Sequence, residues 1–161
     1  IHELSDLLID CVEGGASVSF MAPLARDKAD IFWRSVADMI GRREQILLVA
    51  LDDHETVIGC VIVVVGLPEN QPHRADICKM LVKRSARRRG LGAILMAEAE
   101  AAAAAEGRTL LVLDTATPEA ERLYRRAGFV PIGQIPDYAL MPDGALCATT
   151  FFYKNTAANS P

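Results

Sequence analysis

Aromatic residues make up only 6% of this 161-residue chain, histidines number three and cysteines four, and each scarcity removes a class of function. The formal net charge is -4 and the arginines gather in one loop. A nucleic-acid surface would need a broad basic face interleaved with aromatics, so no nucleic-acid partner is expected. Cys11, Cys60, Cys78 and Cys147 form no Cys-x-x-Cys pair and have no histidine at ligand spacing. Neither a disulfide framework nor a metal site is therefore indicated, and the thiols read as buried and free. No apolar run approaches the length of a membrane span and no signal peptide is evident, which places the expected protein in the cytoplasm with no membrane partner. What the chain does have is an apolar fraction of 51%, enough for one domain with a sizeable core.

The charge that is present is concentrated in Arg87-Arg88-Arg89-Gly90-Leu91-Gly92-Ala93. A strand-like run, Ile77 to Val82, enters this turn, and a strong helix former, Ala93 to Glu106, leaves it. The first amides of a helix have no partner inside it, and the helix dipole makes that end partly positive. Glycines there let a phosphate approach the backbone. Three arginines at the positive end of a helix make sense if an anion sits between them, and a polyphosphate is expected. A dinucleotide fingerprint would need a small residue where Leu95 stands, and a P-loop would need Gly-Lys-Ser/Thr after the turn. A solvated basic turn ahead of a surface helix is the other reading of the same residues.

Along the chain, Leu4, Leu7, Leu8 and Cys11 give the helical spacing of an amphipathic segment from Glu3 to Val12. A second helix is expected over Asp27 to Ile40, with Ile31, Phe32, Ser35, Val36, Met39 and Ile40 on one face. The intervening Ala16 to Met21 is either plain packing or the wall of an acceptor pocket. From Gln45 the period changes: Ile46 to Leu51 and Val57 to Val65 form a hairpin around a polar turn in which His54 is a turn residue. Arg74 to Val82 is the next strand, and Thr109 to Leu113 follows the alanine-rich helix, which Gly107 caps. Thr117-Pro118 starts a helix that runs to Arg126. Phe129 to Ile135 and Ala148 to Tyr153 are the last strands, around a loop holding Pro136, Pro142 and Gly144. The order is an α/β arrangement with a crossover helix between two neighbouring strands. A single domain over 1–154 is expected, with a disordered tail over 155–161.

Two segments carry a family likeness. Arg87, Gly90 and Gly92 fill the pattern Gln/Arg-x-x-Gly-x-Gly/Ala, which resembles the coenzyme A pyrophosphate loop of the GNAT superfamily of acyl-CoA-dependent N-acyltransferases. Ala120 to Phe129 (Ala-Glu-Arg-Leu-Tyr-Arg-Arg-Ala-Gly-Phe) resembles that family's Ala-x-x-Leu-Tyr-x-x-x-Gly-Phe segment. The element order is similar as well, over roughly Gln45 to Lys154. Gly14 to Val18 with Phe20-Met21, and Tyr138 with Pro142-Asp143-Gly144, resemble the tabtoxin-resistance acetyltransferase branch. One departure is Thr117, where many relatives have asparagine, which puts a pantetheine contact from that position in doubt.

The resemblance implies a GNAT fold, a mixed and mostly antiparallel sheet whose central strands splay apart between helices. It implies acetyl-CoA as co-substrate, with pantetheine along Met80, Leu81 and Val82. The pyrophosphate would lie on Arg87, Arg88, Arg89, Gly90, Leu91, Gly92 and Ala93, with Thr117 and Tyr124 completing the site. The acceptor would be a small-molecule amine, and assembly into a homodimer is left open. Tyr124 is the implied acid for the leaving sulfur. Its own helix face, Ala120, Leu123, Tyr124 and Ala127, would equally suit a core tyrosine. For the base there are two carboxylates. Asp76 lies in a strand whose expected same-face neighbours are Cys78, Met80 and Val82, where a carboxylate needs a partner or a function; Arg74 is the candidate partner. Asp114 ends the strand Thr109 to Leu113, either facing the cleft or merely starting a turn.

Overall fold

The computed structural model describes residues 1–156. Helices α1 (His2–Glu13) and α2 (Arg26–Gly41) precede strands β1 (Gln45–Leu51), β2 (Val57–Val64) and β3 (Arg74–Val82). Then come α3 (Leu91–Ala105), β4 (Leu110–Thr115), α4 (Pro118–Arg126), β5 (Val130–Leu140) and β6 (Leu146–Asn155). The six strands form one sheet in the order β1-β2-β3-β4-β6-β5. Only β3 and β4 run parallel, and α3 is the crossover that parallel neighbours require. The element order and fold class are as expected. The C-terminal boundary differs. Asn155 belongs to β6 and Thr156 donates its amide to the Thr109 carbonyl, so the start of the expected disordered tail is ordered; 157–161 lie outside the described residues.

Each sheet face has its own core, because the strand period alternates side chains between them. From β2, Val61 and Val63 join Leu95, Met96, Ala99 and Ala103 of α3 and Tyr124 of α4. Cys60 and Ile62 join Leu7, Leu8 and Cys11 of α1 and Ala29, Trp33 and Val36 of α2. The stripe on α2 is thus rotated from the expected one: Ile31 is 62% exposed and Ile40 38%, while Trp33 is 1%. The residues at 29, 33 and 36 keep helical spacing, but the largest apolar side chain, Trp33, sets the face. Ser5 of α1 donates to Asp30 at 2.5 Å and locks that orientation. Val36→Ala should therefore lower stability by about 2 kcal/mol, and Ile40→Ala by no more than about 0.5 kcal/mol, in urea unfolding. Equal losses would contradict the rotated face.

Strand β3 carries a bulge that overturns the expected face for Asp76. Ile62 pairs with Cys78 and Cys60 with Leu81, so β3 spends three residues where β2 spends two, and Lys79 adopts φ +51°. Before the bulge Ala75 and Ile77 face the α3/α4 core; after it Met80 and Val82 do, while Cys78 and Leu81 face the α1/α2 side. Asp76 therefore does not share a face with Met80 and Val82.

The loop expected at Pro136 is also corrected. Strand β5 runs through it to Leu140, with the register broken between Ile135 and Ala139 and Asp137 at φ +51°. Proline cannot donate to a ladder, and β5 is an edge strand where that is tolerated.

Candidate active site

The parallel pairing of β3 with β4 covers only Arg74 with Leu110, Ala75 with Leu111 and Asp76 with Val112. Beyond it the strands part, and the β4-side edge of β3 from Ile77 to Val82 is left with no strand partner among the described residues. Unpaired main-chain groups in the middle of a sheet invite an extended ligand to complete the ladder. A cavity of about 920 Å³ opens there. Met80, Leu81 and Val82 line it from β3, and Leu81 offers main chain, since its side chain belongs to the α1/α2 core. The Val82 carbonyl already accepts from Arg87 Nε at 3.1 Å and from Cys11 Sγ at 3.5 Å.

The arginine turn forms the next wall. Arg87, Arg88, Gly90, Leu91, Gly92 and Ala93 line the cavity, whereas Arg89 does not. The two glycines are there for different reasons. Gly90 precedes α3 in the left-handed region at φ +81°, with nothing within 4 Å of where a Cβ would be. A Cβ at Gly92 would lie 3.1 Å from Leu123 Cδ2, so glycine lets α3 approach α4. The Ala93 and Ile94 amides turn back to the Gly90 carbonyl at 3.0 and 3.2 Å. That leaves the amides of Leu91 and Gly92 as the first-turn donors with no acceptor in the helix. Ala93 therefore contributes a cavity wall rather than a free donor.

Helix α4 closes the other side with Thr117, Tyr124 and two arginines that motif reading does not single out, Arg122 and Arg126. Their spacing of four was a legible sign that both share a helix face. Thr117 caps the helix, accepting from the Ala120 amide at 3.3 Å. Cys11, Gly14, Gly15 and Ala16, at the end of α1, also line the cavity, and no chemical motif marked the first of these.

Tyr124 is both a core residue and part of the cavity wall. Its ring is in the core, 6.2 Å from Phe129 and 6.0 Å from Phe152, and only 6% of the residue is exposed. Its hydroxyl makes no hydrogen bond to the described residues, and the residue lines the cavity. Burial first, then the charges of Asp114 and Cys78, pushes the phenol up to about 12. Asp114 sits where β4 leaves its pairing with β3 and accepts from Thr149 Oγ1 at 3.4 Å. Desolvation raises its carboxyl above the usual range, with Thr149 and the Lys79 ammonium opposing and Asp76 adding to the rise.

Asp76 is held by Arg74, whose Nη2 donates to Oδ2 at 3.0 Å, with Nε at ion-pair distance from Oδ1, 2.9 Å. Neither carboxylate lines the cavity itself. Both come from the α1/α2 side of the sheet, and the field of Asp114 reaches Tyr124. The four cysteines are free thiols, Cys11 and Cys60 buried, Cys78 and Cys147 half-buried.

A sheet opened between parallel neighbours, with a helix N-terminus and arginines at its mouth, has the shape and charge that suit a long phosphate-bearing ligand. Residues 43–131 match the family model "Acetyltransferase (GNAT) domain". The chain belongs to that family and is an N-acetyltransferase. Its fold is also that of solved acetyltransferases. A phosphinothricin acetyltransferase from Sinorhizobium meliloti in complex with acetyl-CoA is 18% identical, with a TM-score of 0.78 over 98% of this chain and 85% of that one. A ribosomal-protein-alanine N-acetyltransferase from Brucella melitensis is 21% identical, with a TM-score of 0.77 over 94% and 91%. An N-acetyltransferase from Staphylococcus aureus Mu50 is 16% identical, with a TM-score of 0.79 over 96% and 91%. No helix among the described residues is long and apolar enough to cross a membrane.

Proposed function

We propose that this chain, acting as one domain over 1–154, moves an acetyl group from acetyl-CoA to the amine of a small molecule. The observation that carries this reading is that one cavity is lined by the open β3 edge, the α3 N-terminus and Tyr124. Main-chain groups of Met80 to Val82 would hold pantetheine, and the Leu91 and Gly92 amides with Arg87, Arg88, Arg122 and Arg126 would hold the phosphates. Arg89 is left to the field around the mouth, and Thr117 to shaping α4.

Acetyl-CoA supplies an activated acyl group as a thioester. Asp114 takes the proton from the acceptor's ammonium, the free amine forms a C–N bond to the acyl carbon, the C–S bond breaks with Tyr124 giving its hydroxyl proton to the leaving sulfur, and the proton that the new amide nitrogen sheds restores the Tyr124 phenol. The raised carboxyl of Asp114 suits a base better than the Arg74-paired carboxylate of Asp76, which is assigned to holding the strand and to the local field.

A small acceptor is favoured because the segments resembling the tabtoxin-resistance branch meet at one rim. Ser17 Oγ bonds the Leu140 carbonyl at 3.5 Å and the Ala22 amide bonds the Pro142 carbonyl at 3.0 Å, while Gly14 to Ala16 line the cavity.

The test begins with binding. Acetyl-CoA should raise the melting temperature by mass action, and Gly90→Val, scored against its own ligand-free baseline, should lose most of that shift. A variant that binds as tightly as the parent would refute the anion-loop reading. Thiol release during a screen of amines and peptides then decides the acceptor. Turnover of peptides alone removes the small-molecule reading, and binding without turnover leaves a coenzyme A-binding module.

A further inference from the structure

The bulge in β3 puts a cation, Lys79, on the α1/α2 side of the sheet, the side that Asp114 also faces. Lys79 is a non-glycine residue at φ +51° in the middle of a strand, and Ser19, at φ +76°, is its side-chain partner: Lys79 Nζ donates to Ser19 Oγ at 3.1 Å. The bond joins two residues in a conformation that side chains rarely adopt. The ammonium lies 5.7 Å from the Phe32 ring, beside the Phe20 ring that meets Phe32 edge-on. No Asp or Glu oxygen of the described residues comes within the 4.0 Å of an ion pair, so a half-buried cation with three donors has one neutral partner. Its field nonetheless reaches Asp114 and Cys78, on the same side of the sheet. From the last β3–β4 pair, Asp76 with Val112, Asp114 lies two residues along β4 and Lys79 three along β3, so an amine drawn to Asp114 would meet the Lys79 charge across the mouth of the splay.

We infer that Lys79 is a specificity residue that binds the carboxylate of a zwitterionic acceptor, an α-amino acid whose amine is directed to Asp114. This rests on the acetyltransferase reading above. It also separates free amino acids from protein N-termini, which carry no α-carboxylate beside the reacting amine.

The test pairs three amino acids of different side chain, L-methionine, L-phenylalanine and L-lysine, each with its own carboxamide, in acetyl-CoA assays that follow thiol release. A carboxamide's α-amine deprotonates more easily, so a preference for the acid cannot arise from amine basicity. The parent should favour at least one acid over its carboxamide by about tenfold or more in kcat/KM, the size of one charge-assisted hydrogen bond. Lys79→Gln should erase that preference, mainly through a higher KM for the acid, with the carboxamide affected far less. Lys79→Arg should restore part of it. Lys28→Gln, at the exposed cation over Phe20, should leave it intact.

Acetyl-CoA protection against heat, measured on every variant, reports folding and co-substrate binding separately. If protection persists while carboxamides equal or exceed acids, if no acid is turned over, or if Lys79→Gln keeps the preference, the inference is overturned and the acetyltransferase reading stands. Loss of protection in the parent overturns both.

Discussion

Tyr124→Phe is expected to lower kcat by about a hundredfold or more, the ordinary size of a general acid's contribution. The fall should appear equally in kcat/KM, since the hydroxyl is assigned to a bond that breaks only in the transition state. Stability should hardly move. The ring keeps its contacts with Phe129 and Phe152, and the hydroxyl has no protein partner among the described residues to leave orphaned. With its pKa at about 12, the phenol remains protonated through the usual assay range, so the parent's pH profile should show no basic limb from it near neutrality. Steady-state turnover of a confirmed acceptor, alongside urea unfolding, makes the comparison. An unchanged kcat, or a large loss of stability with it, would return Tyr124 to a purely packing role.

That tyrosine illustrates what a sequence can hold. The spacing Ala120, Leu123, Tyr124, Ala127 gave a buried helix face, and the same spacing could not say that the residue would be packed in the core and also line a cavity. The strand and helix order was legible because long periodic segments and the Gly90 and Thr117-Pro118 boundaries act locally. What was not legible needed partners from far along the chain. The bulge at Lys79 reverses which side chains share a face, and no glycine or proline announces it. The α2 stripe turned on where Trp33 could bury itself against α1. The contribution of Cys11 to the cavity depends on α1 ending beside Val82, a contact across 71 positions.

The same long-range geometry separates the two carboxylates, and Asp114→Asn should expose the difference. Asp114 is the proposed base, so the variant should lose about a hundredfold or more in kcat/KM at the acidic end of the profile, where few acceptor amines are already neutral. The loss should shrink as pH rises and the amine deprotonates in solution. In the parent, the acidic limb should lie above the ordinary aspartate range, because crowding around the carboxyl raises its pKa. Stability should move the other way. A carboxyl whose folded pKa is raised binds more protons folded than unfolded between the ordinary value of 3.8 and the raised one, so its contribution is fully present below 3.8 and is lost as pH climbs through the folded pKa. At neutral pH the native side chain is therefore ionised at a disadvantage that an asparagine does not carry, and Asp114→Asn should melt higher than the parent while working more slowly. Asp76→Asn should do the reverse. It deprives Arg74 of its carboxylate, so it should melt lower, yet keep the parent's acidic limb. Melting curves and kcat/KM profiles of both variants from acid to neutral pH test the assignment together. If Asp114→Asn keeps the parent's profile, Asp114 is not the base; if Asp76→Asn alone abolishes the acidic limb, the base is Asp76 and its pairing with Arg74 has to open during the reaction.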